Sequence, residues 1–184
     1  ASSETYVTNK IINNRYRATD ANTGQAGTLD LFKLYGESTH PTSGSEGLIE
    51  LSRILVKFDH NKIKSMNDNG LIDITDSSFK ATLKLHDVYG GETTPNNFKC
   101  IVFPLAKKFD EGIGRDIGNY SDLDVTNYLT ASYESGTVFP WHLPGGMLSG
   151  SLTDVGNIDV IVSGTIPGKS SEESLCVEQL FNTG

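Results

Sequence analysis

The chain has 184 residues, a formal net charge of -8 and a pI near 4.9. That length fits one domain, or one domain plus an arm, and lets a folded chain bury roughly 70% of its unfolded surface without a metal or disulfide staple. The acidic balance disfavours nucleic acid and anionic lipid as partners, and no apolar run approaches the ~20 residues needed to cross a bilayer.

Residues 1–24 are polar and read as an N-terminal arm or edge strand, with Tyr6-Val7-Thr8 as the strand itself. The start, Ala1-Ser2-Ser3-Glu4, carries no basic region followed by an apolar one, so no signal peptide is visible. Asp20-Ala21-Asn22-Thr23-Gly24 is a turn signal. Its spacing imitates the front of a calcium loop, but Leu31 stands where the closing acid would be. Residues 25–184 read as a single β-sandwich domain, either closing at the given C-terminus or continuing beyond it.

Leu29–Tyr35 is the next predicted strand, and Gly36–Gly47, with Pro41 and Gly44, reads as an exposed loop. Leu51–Asp59 is predicted as a half-buried strand with Ile54, Val56 and Phe58 on one face. Its outer face carries Arg53 and Lys57 around Leu55. His60–Asn69 reads as an irregular connection in preference to a short helix, and Asn69-Gly70 as a turn. Phe79–Asp87 alternates cleanly: Phe79, Ala81, Leu83 and Leu85 against Lys80, Thr82, Lys84 and His86. That period of two predicts a strand with one wet face.

The chain from Phe98 to Leu105 is apolar on both faces, with Phe98, Cys100 and Val102 opposed to Ile101, Phe103 and Leu105. It predicts a strand covered on both sides. Leu123–Ala131 predicts a short helix capped by Asp124, and Ile158–Val162 and Ser174–Phe181 are late strands. The sum is an all-β chain: an antiparallel β-sandwich or jelly roll with a short helix near 123–131.

Reactive chemistry is sparse. His40, His60, His86 and His142 form no zinc spacing, and neither a P-loop nor a G-x-S-x-G elbow occurs. Cys100 and Cys176 read as free thiols. Asp110, Glu111, Asp116, Asp122 and Asp124 form an acidic run. It reads either as a solvated loop or as an oxygen-ligand calcium site, with Asp110, Glu111 and Asp116 as ligands. Asp110 and Glu111 would also serve a glycosidase, given a cleft that sets their separation. Trp141, the only tryptophan, reads as a buried end-plug, or, with Tyr120 and Tyr133, as a platform for a glycan or a partner. Asn119-Tyr120-Ser121 is a glycosylation sequon.

The order of several segments resembles DNRLRE-type β-sandwich domains. Arg53-Ile54-Leu55-Val56-Lys57-Phe58 resembles their "R-x-L-(V/L)-(K/R)-F" strand, and Ala81-Thr82-Leu83-Lys84-Leu85 the "A-x-L-x-L" strand after it. Phe109-Asp110-Glu111-Gly112 resembles "W-x-E-G" with Phe109 in place of Trp. Asn127-Tyr128-Leu129 and Trp141 with Gly145-Gly146 resemble the later block, so the likeness spans roughly residues 25–150. Tyr35-Gly36, Glu50-Leu51-Ser52-Arg53, Glu92–Phe98 and Phe109-Asp110-Glu111-Gly112 are similar to a subset encoded by tailed, notably marine, bacteriophages.

The resemblance implies a jelly-roll-like sandwich from a family of extracellular, carbohydrate-associated proteins. In the phage subset it implies a non-enzymatic virion protein, a head decoration or a tail or baseplate component, whose partners are other virion proteins and copies of itself. A carbohydrate-binding or adhesion module is the alternative, and a hydrolase a third. The pattern departs at its C-terminal end, where a closing strand is expected. A sheet short of strands leaves an open edge, so Leu175, Val177, Leu180 and Phe181 are expected at an interface with a neighbouring subunit or a continuation of the chain.

Overall fold

A computed structural model describes residues 3–40, 44–86, 88, 97–118, 125–166 and 170–182, without the side chains of 37–48 and 182. Strands dominate. The first five are β1 (Ser3–Thr8), β2 (Ile11–Ile12), β3 (Tyr16–Arg17), β4 (Lys33–His40) and β5 (Gly44–Lys57). The one α-helix among the described residues, α1 (Asn61–Asp68), follows, then β6 (Asn97–Val102), β7 (Thr130–Glu134), β8 (Thr137–Pro140) and β9 (Ser149–Ser151). A 3-10 turn at Leu152–Asp154 precedes β10 (Val160–Thr165), β11 (Glu172–Ser174) and β12 (Val177–Asn182). The chain is therefore all-β in class.

The strands form small, unclosed sheets, in the orders β1-β5-β4 and β11-β10-β9, with two-stranded ladders β6–β12, β2–β3 and β7–β8. Local turn chemistry sets two of the ladders. Asn13 and Asn14 both take φ 52°, and Ser135 and Gly136 take φ 49° and 85°. Two successive left-handed residues make the turn whose twist matches that of a hairpin.

The register of β1 on β5 places Thr5 opposite Leu55 and Val7 opposite Arg53. Residues opposed in an antiparallel ladder share a face, so the Arg53/Leu55 face looks inward. Val7 and Leu55 join Phe109, Ala131 and Trp141 in the apolar core, with Leu105 packed against it. The predicted outer face of this strand is thus the inner one, and Phe58 is exposed. Arg53 remains inside because its Nη1 donates to the Gly145 carbonyl at 3.1 Å, beside Tyr128. Desolvation lowers its pKa, with Tyr128 acting in the opposite sense.

Other expectations change for identifiable reasons. Most of the predicted loop at Gly36–Gly47 is strand, because β4 and β5 pair from Lys33↔Leu51 to His40↔Gly44. The described part of the predicted 123–131 helix is a tight bend running into β7. Asn127 Oδ1 accepts the N–H groups of Leu129 and Thr130 at 2.8 and 2.7 Å, an Asx turn that competes with a helix. Leu123 and Asp124 lie outside the described residues.

The helix forms instead at α1, within the predicted irregular connection. Gly70, at φ 68°, donates to Asn67 and Leu71 to Met66, so Asn69-Gly70 ends a helix in a Schellman motif. Phe79–His86 alternates as read, yet it is exposed and belongs to no ladder among the described residues. Alternation sorts side chains to two faces, but a strand also needs a neighbour for its N–H and C=O groups. β6 is likewise half-wrong as predicted: Ile101, Val102 and Phe103 are exposed, since its ladder is only two strands wide.

Candidate functional site

The best-organised polar region ties the N-terminal loop to the segment after β6. Asn22 is fully buried. Its Nδ2 donates to the carbonyls of Glu111 (3.0 Å) and Thr126 (2.8 Å), and its Oδ1 accepts the N–H groups of Gly24 (3.2 Å) and Gly114 (2.8 Å). Both donor hydrogens and both lone pairs of the amide are used. The glycines follow from this: a Cβ on Gly112 (φ 76°) would overlap the Asn22 amide, and one on Gly114 or Gly24 would overlap backbone. Thr126 extends the network, its hydroxyl donating to the Ala131 carbonyl and accepting the Asp110 N–H.

Asp159 is a second hub, also fully buried. Oδ1 accepts the His142 N–H at 2.8 Å, and Oδ2 accepts those of Leu143 and Leu148 at 3.0 and 3.1 Å. One carboxylate therefore holds the 142–148 turn under Trp141. Sequence reading put Asn22 in a turn and Asp159 in a strand, but burial of either gave no signal, because Asn and Asp side chains usually face water.

The predicted site residues are dispersed among these scaffolding roles. Trp141 is 4% exposed, and its Nε1 donates to the Asn127 carbonyl at 2.9 Å. It is the buried plug, with no face left to stack on a sugar. Tyr133 is partly exposed on β7, and Tyr120 lies outside the described residues. Asp110 Oδ2 accepts the Tyr133 N–H at 2.7 Å, Glu111 Oε1 accepts the Glu4 N–H at 3.2 Å, and Asp116 Oδ1 accepts the Gly118 N–H at 2.8 Å. The three acids are thus directed to different segments, and no three His, Cys, Asp or Glu side chains converge among the described residues.

A shallow depression next to α1 is lined by Ile72, Asp73, Asp76, Ser78 and Phe79. The hydroxyl of Thr75 lowers the Asp73 pKa and that of Ser78 lowers the Asp76 pKa, so both carboxylates stay ionised and act as turn acceptors. Cys100 and Cys176 are free thiols, and burial pushes the Cys100 pKa up.

The predicted interface residues present a different chemistry. β12 pairs with β6 from Val177↔Val102 to Asn182↔Asn97, so residues 177–181 are a strand and not a loose tail. One face carries Val102, Val177, Cys100, Gln179, Phe98 and Phe181, with the two phenyl rings stacked at 5.1 Å and 11°. The other carries Ile101, Leu180 and the Lys99–Glu178 ion pair at 2.5 Å. Val177 and Leu180 are 63% and 59% exposed. Leu175 instead turns back to the body, its N–H donating to Val162 at 2.9 Å. The outer edges of both strands lack a ladder partner among the described residues. No family model, curated protein or solved structure matches the chain.

Proposed function

We propose that this chain is a non-enzymatic structural subunit of a tailed-phage particle, a head decoration or a tail or baseplate component, acting through contacts with copies of itself and other virion proteins. The observation that carries the reading is the β6–β12 ladder, with its exposed Ile101, Val102, Val177 and Leu180 and two edges that lack a partner among the described residues. Isolated two-stranded ladders are marginal in water, and open apolar edges invite a further chain. A neighbour seated there removes both liabilities and completes the sandwich layer that the strand pattern calls for. The assignment to a phage particle comes from the motif resemblance at Glu50–Arg53, Glu92–Phe98 and Phe109–Gly112.

Specific contacts of this kind bury at least about 1,200 Å² in total. The test is the protein composition of gradient-purified virions. The chain is expected in the particle band at a fixed copy number, and its confinement to the unassembled fraction of the lysate would refute the reading.

A further inference from the structure

We propose that the segment Phe79–His86 of one copy adds as a strand to the free edge of β12 in a second copy of this chain. The inference deepens the structural-subunit reading and rests on it for the expectation that copies meet.

The donor is visible on its own terms. Phe79 closes a turn by donating to the Asp76 carbonyl, and from Lys80 to His86 no backbone hydrogen bond is made among the described residues. Phe79, Leu83 and Leu85 are exposed on the apolar row, and no side chain from Lys57 to His86 is buried. A segment with a period of two, apolar on one row and cationic on the other, is a strand without a sheet.

The acceptor edge is chosen by charge. On the polar face of the ladder, β6 presents Lys99 at its side and β12 presents Glu178. A strand added to β6 would set Lys80 and Lys84 next to a third ammonium. A strand added to β12 sets them on the Glu178 carboxylate, and its Phe79, Ala81, Leu83, Leu85 row then continues the face of Val177 and Phe181. Like charges placed side by side across strands destabilise a sheet, and opposite charges stabilise it.

The tether distinguishes a second copy from the same chain. Residues 87–96 join the donor directly to β6, so a fold-back within one chain meets the like-charged β6 edge first. A strand set antiparallel on its own β12 would run parallel to β6, and a connection between parallel strands takes about a dozen residues or more, longer than this tether. The β12 edge of a neighbour carries no such constraint. This is strand addition, in which the backbone supplies affinity and alternate side chains supply register.

The full-length chain tests the idea. With Cys100→Ser and Cys176→Ser as background, Gln179→Cys is combined with Ala81→Cys, Leu83→Cys or Leu85→Cys. At least one pair is expected to give a covalent dimer on mild oxidation, whereas Thr82→Cys with Gln179→Cys is not. Cross-linking only within one chain, or none in any pair, overturns the proposal. Lys80→Glu with Lys84→Glu is expected to weaken self-association at least tenfold by sedimentation, with circular dichroism unchanged, and Glu178→Lys to restore it; an unchanged Kd overturns it. The two readings fail separately. Virions that contain the chain without the cross-link refute strand addition alone, and a cross-linked dimer absent from virions refutes the particle assignment alone.

Discussion

Replacing Asn22 with Ala removes an amide that makes four hydrogen bonds inside the protein. The bond to the Thr126 carbonyl is wholly buried, and stripping a buried acceptor costs about 1–3 kcal/mol. The bonds to Glu111, Gly24 and Gly114 are partly buried, so water recovers some of each, leaving about 0.5–1 kcal/mol apiece. The expected loss is about 4 kcal/mol, a large share of a total stability of about 5–15 kcal/mol. Urea unfolding followed by tryptophan emission measures it directly, because Trp141 is the only tryptophan and lies in the core. With a slope of about 2 kcal/mol/M, the midpoint should fall by about 2 M at constant slope. A loss below about 1 kcal/mol would refute the view that this amide clamps two distant loops.

Four further outcomes follow from the geometry. Asp159→Ala leaves three partly buried N–H groups without their acceptor and should cost about 2 kcal/mol, with red-shifted Trp141 emission as the 142–148 turn loosens; unchanged stability and emission would contradict it. Gly112→Ala and Gly136→Ala both place a side chain at positive φ, a strain of roughly 1–2 kcal/mol, but only the first also meets the Asn22 amide, so it should be clearly the more destabilising in the same titration. Burial, then Asp30, raises the Tyr6 pKa to about 12; an acid whose folded pKa is raised stabilises below its unfolded value near 10, so stability should fall from about pH 10 to 12, and Tyr6→Phe should flatten that decline. Glu134→Gln breaks an exposed ion pair with Lys108 and should leave the urea midpoint unchanged within error, a clear drop pointing to a hidden contact.

Much of the element pattern is legible in the sequence. The strands at Tyr6–Thr8, Leu51–Lys57, Phe98–Val102 and Val177–Phe181 announce themselves by composition and period, and Trp141 by its place among Pro and Gly. What fails is whatever depends on a neighbour. The facing of β5 is decided by β1, whose Thr5 and Val7 select the Arg53/Leu55 side. The pattern at Phe79–His86 is flawless and still has no ladder partner among the described residues, because alternation carries no information on who sits alongside. The bend at Asn127 outweighs a weak helical period by local side-chain bonds. Of the candidate site residues, Asp110 and Glu111 turn out to hold backbone; Asn22 is legible as a turn residue with glycines nearby but not as a buried clamp, and Asp159 gives no sign of its role.

The Asn22 clamp also sets an order of events during synthesis. Its partners lie 89 and 104 residues downstream, so the clamp stays open until Thr126 has left the ribosome. Closing so long a loop is slow, and proteins dominated by such distant pairings reach the native state late. Until then Val7 and Leu55 lack the Phe109, Ala131 and Trp141 that cover them, and a half-made chain shows its interior to its neighbours.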